Sequence, residues 1–290
     1  HNYSWHDAIH RTQFEPDNAD CSPDSPVPCD DTGHGTHTMG SMVGDDGDLN
    51  RIGVAPEANW IGCRNMYRGN GTVATYLECM EFFLAPYPFG GNARTDGRPD
   101  LAPHIMNNSW ACPPSEGCKG GEFLDAIRVL SSAGILIVAA AGNDGPGCAT
   151  MNDPPGYYSG ELISVAAYDH RNNQAADFSS RGPSGWNGGV GPDISAPGSL
   201  IRSTVPGGEY DYKSGTSMAS PHVAGILALL WAGKPELIGK VKETIRLLQT
   251  SAVPQRSSQS CGGFAGDKQP NAVFGYGFAN AFRALTGVTN

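Results

Sequence analysis

Apolar positions along the chain fall into short blocks that alternate between two periods. Residues 135–141 (ILIVAAA) are apolar on both faces, which predicts a short parallel strand covered by helices on both sides. Residues 59–64, 104–109 and 162–168 read as further strands. Between them, 72–84 reads as a helix, and 120–132 as an amphipathic helix with Phe123, Leu124, Ile127 and Leu130 on one face. The small-residue run 38–44 predicts another helical stretch. Residues 216–233 are apolar nearly all round, which predicts a buried helix rather than a surface one. Strands and helices that alternate across short connections give an α/β fold: three layers, a mainly parallel sheet with helices on both faces. Glycine and proline are spread throughout and no repeat of fixed period occurs, so residues 1–290 are expected to form one domain. In such sheets chemistry is sought at the carboxyl ends of the strands.

Composition narrows the classes. The chain has 29 acidic against 19 basic residues, a net charge of −10. That balance argues against a nucleic-acid partner, which needs a basic face. Both long apolar runs, 135–141 and 223–232, are shorter than the roughly 20 residues that span a bilayer. The eight cysteines include no C-x-x-C pair and sit largely in loops, which favours disulfides and a secreted protein over zinc or redox motifs. The pairing expected is 21–29, 63–79, 112–118 and 148–261, with buried free thiols as the alternative. Asn2 and Asn70 each open a glycosylation pattern.

Three stretches carry the candidate chemistry. Ser217 opens the predicted buried helix, where unpaired N–H groups and the helix dipole favour developing negative charge. Its hydroxyl needs a base, and the glycine-flanked His34 permits close approach. Asn143, beside Gly142 after the buried strand, can point an amide donor at an oxyanion. Each residue also has a plain structural reading: Ser217 as a helix cap, His34 as a polar turn residue, Asn143 as a left-handed turn.

Taken together and in order, GHGTH (33–37), AAGN (140–143) and GTSMASPHVAG (215–225) resemble the subtilisin-like serine peptidases. Shorter matches such as FSSRGP (178–183) and DISAPG (193–198) extend the resemblance over about residues 33–285, and NNSW (107–110) is similar to the bacillopeptidase F-type branch. The resemblance implies a subtilisin-like fold and a serine endopeptidase acting on polypeptides through an acyl-enzyme. It implies His34 as general base, Ser217 as nucleophile, and the Asn143 amide with the Ser217 N–H as oxyanion donors. His37 is structural. Ser109, Trp110 and Ala111 match the segment that pairs with substrate backbone, and Ala140, Ala141 and Gly142 the opposite wall of the S1 pocket. The methyl group of Ala111, where many subtilisins have glycine, narrows that pocket.

The third triad member is missing from its expected place. In the family it is an aspartate ending the first core strand, in a D-[ST]-G segment well before the histidine motif. Residues 1–30 hold no hydrophobic run, and Asp7 and Asp24 stand in no strand context. Asp31-Thr32-Gly33 spells the motif but directly precedes His34 with no strand before it, so Asp30 or Asp31 reads as a helix cap. The expectation is a peptidase domain truncated at its N-terminus, its triad aspartate upstream of His1, with little turnover from these 290 residues alone. The alternative is a catalytically silent homologue that binds peptides without cleaving them. A zinc hydrolase is disfavoured, since His34 and His37 lack the H-E-x-x-H arrangement. No cofactor is required for the chemistry, structural calcium is compatible with the acidic loops, and the expected state is a monomer with no membrane partner.

Overall fold

The computed structural model describes residues 2–10 and 21–288; residues 11–20 of the acid-bearing opening stretch lie outside it. The chain runs β1 (Trp5–Asp7), α1 (His34–Val43), β2 (Gly62–Arg64), a hairpin of β3 (Met66–Tyr67) and β4 (Asn70–Gly71), then α2 (Val73–Leu84). There follow β5 (Ile105–Asn108), α3 (Leu124–Ser132), β6 (Leu136–Ala140), β7 (Ile163–Asp169), β8 (Gln174–Ala175) and β9 (Ile194–Pro197). A second hairpin, β10 (Ile201–Val205) and β11 (Glu209–Lys213), leads to α4 (Thr216–Gly233), α5 (Val241–Ser251) and α6 (Ala281–Thr286).

β5, β6, β7 and β9 pair in parallel, with β8 antiparallel on β7. Because side chains alternate across a strand, the apolar run of β6 serves two layers at once. Leu136 and Val138 pack with Val223, Leu227 and Leu230 of α4. Ile137 and Ala139 point the other way, into the cluster of Tyr76 and Met80 of α2 and Ile127 and Leu130 of α3. That is why 135–141 can be apolar throughout. It is also why α4, lying between the sheet, α1 and α6, is apolar nearly all round.

Local chemistry sets the helix ends. Thr72 caps α2, its Oγ1 accepting from Thr75 N at 3.2 Å while Thr75 Oγ1 accepts from Thr72 N at 3.0 Å, a reciprocal capping box. α3 starts at Leu124 rather than at 120, because Gly120 and Gly121 both take positive φ, 136° and 36°, outside the helical region. α1 starts at His34, earlier than the small-residue run suggested. The Asp30 carboxylate accepts from Gly33 N at 2.8 Å and from Thr36 N and Oγ1, each at 2.7 Å. It therefore fills the open N–H positions of the first turn. Asp30 is thus the capping residue; Asp31 accepts instead from Arg68 N at 3.0 Å.

All four expected disulfides are present, 21–29, 63–79, 112–118 and 148–261, and no cysteine among the described residues is free. The opening residues depart from expectation. Trp5-His6-Asp7 forms a short strand, parallel to β2, although its sequence has no hydrophobic run. A buried ion pair holds it: Asp7 Oδ1 accepts from Arg64 Nε at 2.9 Å, and the same carboxylate accepts from Ile9 N and Ser25 N.

Next to that strand, the ring nitrogens of His10 both face carboxylates. Nδ1 lies 2.7 Å from Asp24 and Nε2 2.9 Å from Glu78 of α2, which also bonds His6 Nε2 at 2.7 Å. Carboxylates only accept, so both His10 bonds need the doubly protonated ring. Burial pulls its pKa down, but the bonds and charges of Asp24 and Glu78 outweigh that and raise it. A raised folded-state pKa contributes stability fully present below the unfolded value near 6.5 and lost as pH rises through the folded value. The His10 proton resonances are expected to titrate with a midpoint above 6.5 by NMR, and in the Glu78→Gln variant that midpoint falls.

Candidate active site

The carboxyl ends of β5 and β6 and the start of α4 meet at one point. Asn108 and Ala139 are register partners, so the chain leaves both strands side by side and the segments 109–111 and 140–142 begin together. Ser217 lies in the first turn of α4, with its Oγ donating to the carbonyl of Ser109 at 3.1 Å. Ser109 Oγ donates back to the carbonyl of Ser217 at 2.9 Å. The two segments are therefore bonded at Ser217 itself.

Asn143 sits across from this pair. Its Oδ1 accepts from Thr216 N at 2.9 Å and Thr216 Oγ1 at 3.0 Å. Those two donors fix the amide by its oxygen, and Nδ2 makes no hydrogen bond among the described residues, which leaves it available as a donor. The preceding Gly142 has φ 106°, and a Cβ there would lie 2.7 Å from Ser180 Oγ, so this strand-to-loop turn requires glycine. Thr216 escaped the sequence reading. The signal for it was its place, one residue before the serine and within reach of the same turn.

His34 is the first residue of α1, half-buried at the mouth of a large cleft. Burial lowers its pKa, the nearby Lys213 charge adds to this, and Asp30 opposes it. The net result favours the neutral imidazole, the form able to accept a proton. No hydrogen bond joins His34 to Ser217 or to a carboxylate among the described residues. His37, one turn on, is buried and donates from Nε2 toward the carbonyls of Ile201 at 3.0 Å and Asp211 at 3.2 Å. It pins α1 to the β10–β11 hairpin. Gly40 brings them close, since a Cβ there would run into the Ser203 and Thr204 hydroxyls.

Trp110 lies flat on Tyr76 of α2, with ring centroids 3.9 Å apart and planes at 9°, and Phe123 meets it edge-on. Tyr76 OH donates to Glu116 at 2.6 Å, and burial pushes its pKa far up. The wall at 109–111 is therefore backed by a fixed aromatic stack. On the other side Ala140 and Ala141 are buried, and Gly142 is half-buried.

The cleft that begins at His34 has a volume of about 1660 Å³. Gly62–Asn65 line one wall and Ile105–Trp110 the other, with Gly225, Ala228 and Trp231 of α4 at its base. Among the described residues β2 pairs only with β1 and β5 only with β6, so both strands turn an open edge to this space. Two buried polar atoms on its walls have no hydrogen-bond partner among the described residues: the donor Arg64 Nη1 and the acceptor Asn107 Oδ1. The acidic stretch Asp45-Asp46-Gly47-Asp48 is folded on itself, with Asp46 accepting from Asp48 N and from Asn50. No group of three or more His, Cys, Asp or Glu among the described residues is placed to hold a metal ion.

Comparison with known proteins agrees with this arrangement. Residues 5–277 match the model of the subtilase family, Peptidase_S8. The chain is 38% identical to bacillopeptidase F of Bacillus subtilis (strain 168) over 273 residues, covering 91% of this chain and 17% of that protein. It is 33% identical to the serine protease AprX of the same organism over 286 residues, covering 90% of this chain and 59% of that protein. It thus spans less than two thirds of the length of these relatives. Among solved structures, the S41 psychrophilic protease superposes with a TM-score of 0.70 at 28% identity, over 96% of this chain and 92% of that one. The chain belongs to the subtilase family.

Proposed function

We propose that this protein is a secreted serine endopeptidase that cleaves polypeptides through an acyl-enzyme. The observation that carries the reading is the joint placement of Ser217 in the first turn of α4 and Asn143 held through its oxygen by Thr216, its N–H₂ without a partner among the described residues. Ser217 Oγ attacks the scissile carbonyl while neutral His34 takes its proton. The oxyanion settles between Asn143 Nδ2 and the Ser217 N–H, and His34 then protonates the leaving amine. Ser109–Ala111 and Ala140–Gly142 flank the substrate chain. The chemistry uses no cofactor. No helix among the described residues is long and apolar enough to cross a membrane.

His34 still needs a carboxylate to hold its tautomer and stabilise the imidazolium. Asp7 is engaged with Arg64, and Asp30 caps α1. The open edges of β2 and β5 and their two unpartnered polar atoms support a further parallel strand in the cleft, one that ends in the triad aspartate near His34.

The reading is tested with peptide p-nitrophenyl esters and the full-length protein. A burst of nitrophenol equal to the enzyme concentration, with cleavage of denatured casein, is expected. Casein bound but left intact, with no burst, would identify a peptide-binding homologue instead. Replacing Asn143 by alanine is expected to lower kcat about 10²–10³-fold with little change in KM, because the donor acts on charge that exists only in the transition state. Equal loss in kcat and gain in KM would place Asn143 in substrate binding.

A further inference from the structure

We propose that Asn107 is a positioning residue for the nucleophile, acting through the hydroxyl of Ser109; this rests on the peptidase reading above. The need for it begins with Pro221. In a helix the carbonyl of residue 217 is bonded by the N–H of residue 221, and proline has none. The Ser217 carbonyl is therefore left open one bond away from the reacting residue, and Ser109 Oγ fills it at 2.9 Å. Having placed its single proton there, Ser109 Oγ can only accept from its other neighbours. Ser220 Oγ lies 2.8 Å from it and Asn107 Nδ2 donates to it at 2.9 Å. The hydroxyl is then fully coordinated by three groups and has one orientation. The Ser109 carbonyl meanwhile accepts from Ser217 Oγ at 3.1 Å.

Ser109 thus holds Ser217 by both its backbone and its side chain, and Asn107 fixes Ser109 from inside β5. The Asn107 amide reaches only the hydroxyl of Ser109 and not the backbone of 109–111 that pairs with substrate, so its loss loosens the nucleophile without removing a substrate contact. The expected effect is roughly tenfold on kcat, within the ~100-fold that a displacement of about 1 Å can cost.

The test is a double-mutant cycle in the full-length protein, measuring kcat and KM on a peptide anilide and the rate of fluorophosphonate labelling. Asn107→Ala is expected to lower kcat and the labelling rate about tenfold with KM within about twofold of wild type. In a Ser109→Ala background the same change is expected to add nothing. Asn107→Asp, which keeps the volume but loses the amide donor, carries the same cycle should the alanine variant not fold. Effects that multiply, a KM that moves as far as kcat, or an unchanged kcat would each overturn the role. A wild-type protein that takes no label contradicts the peptidase reading itself, whereas a labelled wild type with multiplying effects contradicts only Asn107.

Discussion

Replacing Ser217 by alanine is expected to lower kcat of the full-length protein by about 2 × 10⁶, and replacing His34 by alanine to do nearly the same. Removing both costs no more than removing one, as in subtilisin, where the matching residues act as a unit. The structure gives the reason. Ser217 Oγ donates to the Ser109 carbonyl, a weak resting bond, and becomes nucleophilic only when a base accepts that proton. Burial first, and then the nearby Lys213 charge, lower the His34 pKa, which favours the neutral form that a base needs. Without the serine the histidine has nothing to activate, and without the histidine the serine remains a protonated, weakly nucleophilic alcohol. KM should change little, since neither side chain holds the substrate backbone. Independent, multiplying losses would mean that the two residues do not share one step.

The second large effect concerns the cleft between β2 and β5. Residues 1–290 expressed alone are expected to turn over about 3 × 10⁴-fold more slowly than the complete triad, the factor reported for loss of the aspartate in subtilisin. A peptide with an apolar run ending in Asp-Ser-Gly should raise kcat toward the complete rate by pairing with both open edges and setting its carboxylate at His34. The same peptide with asparagine in place of aspartate should bind without restoring turnover, because the imidazole would sit in the wrong tautomer. Full turnover by the 290 residues with no addition, and with a serine-directed inhibitor bound at Ser217, would remove the need for any further carboxylate.

Much of this arrangement was legible in the sequence because buried elements constrain their residues strongly. The stretch 216–233 had to be a buried helix, and 135–141 a doubly covered strand, since nothing else hides apolar side chains on every face. Of the disulfides, 21–29 and 112–118 join cysteines close together in loops, whereas 63–79 ties β2 to α2. β1 was not legible. Three residues, two of them polar, carry no periodicity, and the buried Asp7 of that strand is held by distant partners, Ser25 N and Arg64, the latter 57 positions away. The cap of α1 was narrowed to Asp30 or Asp31, but the helix was begun at 38, because the glycines around His34 hide a first turn that the Asp30 carboxylate holds. His34, Ser217 and Asn143 stood out by their neighbours. Thr216 and Asn107 did not, because their work is to hold other side chains, and which side chain holds which is decided by packing. Pro221 was the one visible hint, since a proline inside a helix announces an open carbonyl four residues earlier.

The central claim is that Ser217 is an activated nucleophile, and covalent labelling tests it most directly. The full-length protein treated with a fluorophosphonate and digested should carry one added phosphonyl group, on the peptide containing Ser217, and the His34→Ala variant should react far more slowly at that residue. A wild-type protein that cleaves polypeptides while Ser217 stays unmodified would contradict the account.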